Sequence, residues 1–342
     1  MKLSSKATNL SLLVATVAAF ATGIGAFLAG SPSQRLAVSL HAVAGFGVLV
    51  LFVWKRRIIA RAVARRGAGA WLAPSAALLG VVLAALASGV AWSTTGLPSI
   101  DGYSGLTVHA ALGAGAVLLL LPHANLHWPR LGRRDLPGRR ALLRTAILSG
   151  AAVALWQATE FTTRLAGLSG AARRFTGSRL VARFSGNAFP SSSWLTDDPA
   201  PLDPAVWRLT VTGHVLRPLR LSLAELPAQR ELDAVLDCTG GWYTEQRWSG
   251  APVAALLVQS GVRPGARSVV VRASTGYWRR YTLDEARRAL LATSVGGEPL
   301  AHEHGAPLRL VVPGKRGYEW VKWVTSVEVS TASPLLNWPL PV

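Results

Sequence analysis

The run Leu236-Asp237-Cys238-Thr239-Gly240-Gly241-Trp242 holds the only cysteine of a 342-residue chain. It closes an alternating stretch, ELDAVLD (231–237), that reads as a strand with one apolar face. A thiol at a strand end, followed by two glycines that let backbone approach a bulky group, suits presentation of a thiolate to a soft metal. With no second cysteine, an internal disulfide and any multi-cysteine zinc or iron–sulfur site are excluded. Outward from this run, WRLTVTGHV (207–215), RSVVVRAS (267–274), PLRLVVPG (307–314) and WVKWVTSVEVS (320–330) read as further strands. APVAALLVQSG (251–261) reads as a helix closed by glycine, and TLDEARRALLA (282–292) as a helix opened by a Thr-x-x-Glu capping box. The pattern predicts an α+β domain over 201–342. A linker and covering loop over 166–200 precede it, with the Ser-, Pro- and Asp-rich SGNAFPSSSWLTDDPAPLDP at its end.

The first half is of another kind. The whole chain is 50% hydrophobic and only 15% charged, with mean hydropathy +0.32, too apolar for a soluble two-domain enzyme of this length. Uncharged stretches at 7–30, 36–54, 71–92 and 106–121 are at or near the length a helix needs to cross hydrocarbon. A fifth, 141–159, qualifies if Arg144 snorkels to the interface. The fold expected is therefore a membrane α-helical bundle of five spans over 1–165, followed by the α+β domain.

The net charge of +19 sits mainly in this hydrophobic half, where 16 basic residues face 3 acidic ones up to residue 165. That placement argues for a topological cause and against a nucleic-acid partner. Lys2, Lys6, the 55–66 segment KRRIIARAVARR and the 129–144 segment hold 14 basic residues, whereas Arg35 alone lies in the loops 31–35 and 93–105. The positive-inside rule then puts the amino terminus in the cytoplasm of a bacterial inner membrane and everything after residue 160 outside. A cleaved signal peptide is disfavoured, because the first span is long and another follows at once.

His41 and His109 lie a few residues inside the second and fourth spans from their outer ends, both roughly 6 to 8 Å below the outer surface. Two imidazoles at matched depth across a bundle are candidate axial ligands of a haem b iron, with Gly45, Gly47, Gly113 and Gly115 leaving room for a porphyrin. His123 and His127, near the inner face, have no histidine opposite them on the second span. They fit an interfacial role or one side of a quinone pocket. Over residues 7–128 the arrangement resembles the membrane-bound b-type cytochrome domains of bacterial respiratory enzymes.

Four motifs together carry a second resemblance: Leu236 to Trp242, then Trp248-Ser249-Gly250-Ala251-Pro252, then Gly305-Ala306-Pro307 through Gly314, then Gly317 through Trp323. In that order they resemble the molybdopterin-binding domain of the sulfite oxidase family, over about residues 178 to 330. The resemblance implies a molybdenum–molybdopterin cofactor with Cys238 as the protein thiolate on the metal, and Thr239 and Gly240 beside it. A pterin phosphate needs cations and backbone N–H donors. Arg309, Lys315, Arg316 and Lys322, with Gly314, Gly317 and Tyr318, supply them in the stretch where the family has its phosphate-binding loop. Asn187 matches the place where family members bring an Asn towards the metal or pterin, and His304 is a candidate hydrogen-bond partner of the pterin.

Where sulfite-oxidising members carry Asn-Arg-Arg after the cysteine, this chain has Gly241-Trp242-Tyr243, which puts sulfite in doubt unless Arg247 or Arg279 folds back to compensate. An aromatic mouth of Trp242, Tyr243, Tyr277 and Trp278, with Tyr277 as a catalytic candidate, better suits a neutral S- or N-oxide, as in the methionine sulfoxide reductase branch. Gly138-Arg139-Arg140-Ala141-Leu142-Leu143-Arg144 resembles the twin-arginine export motif, ahead of a weakly apolar helix. The expectation is a membrane-bound oxidoreductase that passes electrons between the quinone pool, haem b and an external molybdenum–pterin centre. The rivals are a sulfite-type dehydrogenase and a non-catalytic cytochrome b anchor with a binding domain. Oligomeric state is not legible.

Overall fold

A helix satisfies every interior backbone N–H and C=O within its own segment, which suits long uncharged stretches such as those of the first half. The computed structural model describes residues 3–67, 69, 72–97, 99, 103–126, 139–193 and 197–336. Five helices, α1 (Ser5–Leu28), α2 (Arg35–Arg66), α3 (Ala73–Thr94), α4 (Gly105–Leu126) and α5 (Arg139–Leu165), are long and apolar enough to cross a membrane. The chain divides into two units, Met1–Gly177 and Ser178–Val342. Within the first, α1 packs on α2 and α3 on α4 as hairpins.

The helices outrun the uncharged stretches. The arginine-rich 55–66 segment continues α2 because it contains no Gly or Pro before Gly67. Gly67, at φ +70°, then ends the helix and donates its N–H to Val63 O at 2.8 Å. Likewise α4 passes through Pro122 to Leu126, while His127 lies outside the described residues. Arg139 and Arg140 are the first residues of α5. Residues 166–177, expected as linker, are packed onto helix ends. A Cβ on Gly170 would come within 2.1 Å of Ser93 O, Trp92 Nε1 donates to Gly177 O at 3.0 Å, and Arg173 pairs with Glu160.

The second unit is a mixed α/β domain with two sheets. One has the order β3 (Leu219–Leu221), β2 (Leu209–Gly213), β11 (Val324–Ser330), β6 (Ser268–Ala273), β7 (Trp278–Thr282). The other is built along the eleven-residue β5 (Trp242–Pro252). β4 (Arg230–Asp237) pairs antiparallel along one side of β5. On the other side β1 (Arg179–Arg183) pairs in parallel with residues 242–245, and β8 (Leu290–Val295) pairs antiparallel with residues 248–252. β10 (Arg309–Val311) and β9 (Glu298–Pro299) complete it beside β8. Helix α6 (Val253–Ser260) buries Val253, Leu256 and Leu257 in one core with Val269, Val271, Leu291 and Val327.

Two departures from the sequence reading have clear causes. The helix expected over 282–292 stops at Arg288, as α7 (Leu283–Arg288), and residues 290–292 become strand. Leu290, Leu291 and Ala292 favour helix intrinsically, but they lie fully inside the sheet between β5 and β10, and pairing on both sides outweighs propensity. The first half of β5 hides from a hydrophobic pattern because two of its inward residues, Thr244 and Gln246, are polar and fully buried. They satisfy each other and their surroundings: Gln246 Nε2 donates to Thr244 Oγ1 at 2.7 Å, and Gln246 Oε1 accepts from Ser185 N–H at 2.9 Å.

Leu291→Ala should lower the unfolding free energy of this unit by roughly 2–5 kcal/mol, the usual cost of a cavity at a fully buried leucine. Denaturant titration of tryptophan fluorescence measures it, and a loss under about 1 kcal/mol would mean the site collapses around the deletion.

Candidate active site

The strand β4 ends at Asp237, and the next four residues turn the chain back into β5. Cys238 N–H donates to Trp242 O at 2.8 Å and Gly241 N–H to Cys238 O at 3.1 Å, closing the turn, with Gly241 at φ +88°. Only a residue without Cβ adopts that conformation at no cost. Gly240 N–H points at Cys238 Sγ at 3.3 Å, a donor suited to a thiolate. Beneath the turn lies a buried ion pair, Arg316 Nη1 to Asp237 Oδ1 at 2.8 Å, with both residues 1% exposed. Ser178 Oγ donates to the same carboxylate at 2.6 Å, and Arg316 Nη2 to Cys238 O at 3.2 Å. This cluster ties the cysteine turn to the loop that follows β10.

Cys238 opens onto a cavity whose walls include Thr239, Trp242, Tyr277, Gly317, Tyr318 and Trp320. The covering loop contributes Phe189, Pro190 and Ser191 to Ser193, with Ser192 Oγ 3.8 Å from the sulfur. Two cations complete it. Arg309 is buried between Trp248 and Trp320, its guanidinium carbon 5.5 and 5.9 Å from their ring centres, and burial lowers its pKa to about 10. It donates to His304 O at 2.8 Å. Lys322 Nζ donates to Ser191 Oγ and Ser193 Oγ at 2.9 and 3.1 Å, and burial, helped by Arg309, pushes it down to about 7.

Several polar atoms of this wall lack hydrogen-bond partners among the described residues: His304 Nδ1, Arg309 Nε and Trp320 Nε1. His304 Nε2 lies 2.9 Å from Asn187 O, an acceptor, so that nitrogen carries the proton and Nδ1 is left as a lone pair. Burial holds His304 below its ordinary pKa, in keeping with a neutral ring, and Phe189 stacks on it at 4.0 Å. A buried acceptor and two buried donors without partners cost stability, and a bound polar group would recover it.

Most of the expected site residues meet here, and some do not. Cys238, Thr239, Tyr277, Arg309, Gly317, Tyr318 and Lys322 line the cavity, and Gly240 lies against the sulfur. Arg316 is spent on Asp237 beneath it. Lys315 is spent on Glu285 and Glu319, at 2.8 and 3.3 Å, so neither supplies a cation to the cavity. Asn187 does not reach it either. Its Nδ2 donates to Glu298 Oε2 and Pro299 O, and its Oδ1 accepts from Ala301 N–H, fastening the covering loop to the segment after β9. Tyr277 donates its phenol proton to Tyr318 O, and burial keeps that phenol well above its usual pKa. Tyr243 and Trp278 are not in the wall, and Trp278 packs against Arg272 and Arg280. The residues that sequence reading missed, Asp197 and Trp320 in the wall and Asp237 beneath it, carry no local signal except that Asp237 ends an apolar strand.

Residues 197–338 match the family described as oxidoreductase molybdopterin binding domain. The second unit carries a molybdopterin oxidoreductase domain. A protein-methionine-sulfoxide reductase catalytic subunit, MsrP, of Gluconobacter oxydans is 33% identical over 175 residues, which cover 45% of this chain and 54% of that protein. An NADH nitrate reductase of Oryza sativa is 32% identical over 183 residues, covering 42% of this chain and 19% of the rice protein. The chain therefore spans about half the length of the first relative and a fifth of the second. Among solved structures, the sulfane dehydrogenase SoxCD of Paracoccus pantotrophus aligns with a TM-score of 0.37 at 27% identity, covering 39% of this chain and 40% of that one.

The cavity fits the pterin group that this domain implies. A thiol with an N–H directed at it meets the need of a metal ligand, and the unmet donors and acceptor together with Arg309 and Lys322 meet the need of a polar, anionic ligand.

Lys322 sets a pH dependence. Below about pH 7 the folded and unfolded chains both hold its proton, and the buried charge costs stability in full. Between about 7 and the ordinary 10.5 the unfolded chain binds more proton, so stability rises with pH. Without bound anion, the unfolding temperature should climb between about pH 6 and pH 9. Lys322→Met should flatten that climb, and an identical slope in both proteins would refute the burial of this charge.

Proposed function

We propose that this protein is a membrane-anchored reductase of S- or N-oxides, with a sulfoxide as the first substrate class. Its electrons would come from the quinone pool through haem b in the helical unit. The substrate class is supported by the similarity to a methionine-sulfoxide reductase catalytic subunit, and by the aromatic wall of Phe189, Trp242 and Tyr277 beside Cys238. The expected compensating arginines are engaged elsewhere. Arg247 is exposed and held by Asp233, and Arg279 is buried over the ring of Tyr318. An anionic substrate would depend on Arg309 and Lys322, which the cofactor's own charge also needs.

The observation that carries the redox coupling is the histidine pair. His41 Nδ1 lies 2.8 Å from Ala19 O and His109 Nδ1 2.9 Å from Ala85 O. A carbonyl accepts only, so both Nδ1 atoms carry the proton and both Nε2 atoms are lone pairs. Those two Nε2 atoms face each other at 3.4 Å. Two acceptors in contact repel unless something electrophilic joins them, and a histidine whose other ring nitrogen bonds a backbone carbonyl is the usual form of a metal ligand. At about 2 Å per metal–nitrogen bond the pair would need to open by roughly 0.6 Å. An added Cβ on Gly47 or Gly113 would meet nothing within 4 Å, in keeping with a group seated beside these glycines.

When bound, the molybdenum–pterin group supplies two-electron oxygen-atom transfer and haem supplies one-electron delivery. Cys238 would hold the metal and Gly240 N–H would stabilise its thiolate charge. Arg309 and Lys322 would hold the pterin's anionic end, and His304 Nδ1 would accept from one of its N–H groups. Phe189 and Trp242 would flank the reacting face. Reduction of a sulfoxide to thioether and water takes up two electrons, which the haem would deliver one at a time, and two protons, which solvent reaching the cavity would supply.

In this reading the amino terminus is cytoplasmic, the second unit faces outward, and Arg139-Arg140 at the start of α5 direct its export. Replacing both arginines by Lys should leave the helices inserted and strand the second unit inside, which protease access from outside reports.

The central test is optical. Dithionite-reduced protein should show a b-type haem spectrum, absent in His41→Ala and in His109→Ala, and methionine sulfoxide should reoxidise it. Cys238→Ser should keep the haem reducible and lose reoxidation by orders of magnitude, because a hydroxyl replaces a soft thiolate poorly. Reduction of the haem by sulfite, with no reoxidation by any sulfoxide or N-oxide, would replace this reading by the dehydrogenase.

A further inference from the structure

The helical unit holds a repeat that the spans alone do not show. Ala18-Ala19-Phe20-Ala21-Thr22-Gly23 on α1 is matched by Ala84-Ala85-Leu86-Ala87-Ser88-Gly89 on α3. His41-Ala42-Val43-Ala44-Gly45-Phe46-Gly47 on α2 is matched by His109-Ala110-Ala111-Leu112-Gly113-Ala114-Gly115 on α4. The packing repeats with the letters. Each hairpin's second helix carries the histidine, and its Nδ1 lies against the carbonyl of the equivalent alanine, Ala19 or Ala85, on the first helix. Seven residues beyond each histidine the equivalent positions Val48 and Ala116 are buried, at 2% and 4% exposure.

One helical turn past each accepting carbonyl stands a glycine, and both glycines abut an imidazole. A Cβ on Gly23 would lie 3.1 Å from His41 Cε1 and Nδ1, and a Cβ on Gly89 would lie 2.8 Å from His109 Cε1 and 3.1 Å from its Nδ1. Small residues commonly serve to bring membrane helices together, and Gly25, where an added Cβ would lie 3.3 Å from Ala37 Cβ, does that here. Gly23 and Gly89 differ in that their nearest neighbours are the histidine rings themselves. Carbonyl and glycine together leave each ring one orientation, and the two rings cross at 73° with centroids 5.7 Å apart.

We propose that α1–α2 and α3–α4 are two copies of one half-site for a planar metal cofactor, and that Gly23 and Gly89 are positioning residues that hold its two axial imidazoles nearly perpendicular. This rests on the haem reading above. It adds which residues orient the ligands, and it gives the bound iron a definite ligand geometry. A ferric low-spin iron between perpendicular imidazole planes gives a strongly anisotropic electron paramagnetic resonance signal dominated by one large g value. Parallel planes give a rhombic signal with three resolved values.

The experiment is that spectrum on the purified full-length holoprotein, beside Gly23→Ala, Gly89→Ala and Gly80→Ala. Gly80 is on the same helix as Gly89, and a Cβ there would meet nothing within 4 Å. The expected result is the anisotropic signal in the unaltered protein and in Gly80→Ala. Gly23→Ala and Gly89→Ala should each show a severalfold loss of that signal, to rhombic or high-spin forms or to lower haem content. If either variant fails to accumulate in the membrane, the signal of the unaltered protein still decides ring orientation. A rhombic signal there, or an unchanged one in both glycine variants, overturns the proposal while leaving the haem standing. A protein without haem overturns the haem reading itself, and this inference with it.

Discussion

The buried pair between Asp237 and Arg316 is the constraint on which the second unit's cavity depends. It joins positions 79 residues apart in the chain, the end of β4 and the loop after β10. Removing two charges from water costs several kcal/mol per ion, and it is tolerated when geometry and extra hydrogen bonds compensate. Here Ser178 Oγ and Cys238 O complete the set. Because the guanidinium reaches both the carboxylate and the cysteine's own carbonyl, the sulfur's position is referred directly to the loop holding Gly317 and Tyr318. A Cβ on Gly317 would lie 3.3 Å from Asp237 O and 3.4 Å from Cys238 Cα, so the two segments are in direct contact.

Above that pair the charges divide into two kinds. Arg316 and Lys315 have carboxylate partners and are neutralised within the protein. Among the described residues Arg309 hydrogen-bonds a carbonyl and Lys322 two serine hydroxyls, so their charge is solvated by neutral groups and remains available to a ligand. The lowered pKa values of both are the cost of keeping them in a buried wall. The helical unit holds an analogous arrangement in neutral form: two imidazoles with their protons committed to carbonyls and their lone pairs opposed.

The shift of roles among the cations shows where reading a sequence stops. Arg309, Lys315, Arg316 and Lys322 look equivalent along the chain, all within one basic, glycine-rich stretch. What separates them is the presence of Glu319, four residues from Lys315, and of Asp237 and Glu285, supplied by elements whose distance depends on the packed fold. Asn187 behaves likewise, since its partners Glu298, Pro299 and Ala301 lie more than a hundred residues on. The strand β8 was concealed by leucines and alanine that prefer helix, and β5 by Thr244 and Gln246 at inward positions.

By itself the sequence determined what local chemistry can determine. Long uncharged runs satisfy their own backbone as helices; Cys238 before two glycines marks a turn built around a thiol; His41 and His109 stand at similar positions along their helices. Tertiary structure alone decided which cations stay unpaired in the cavity, which strands enclose it, and that each imidazole is held between a carbonyl and a glycine. Those outcomes depend on desolvation, ion pairing and close approach between segments remote in sequence, and such energies exist only once the distances do.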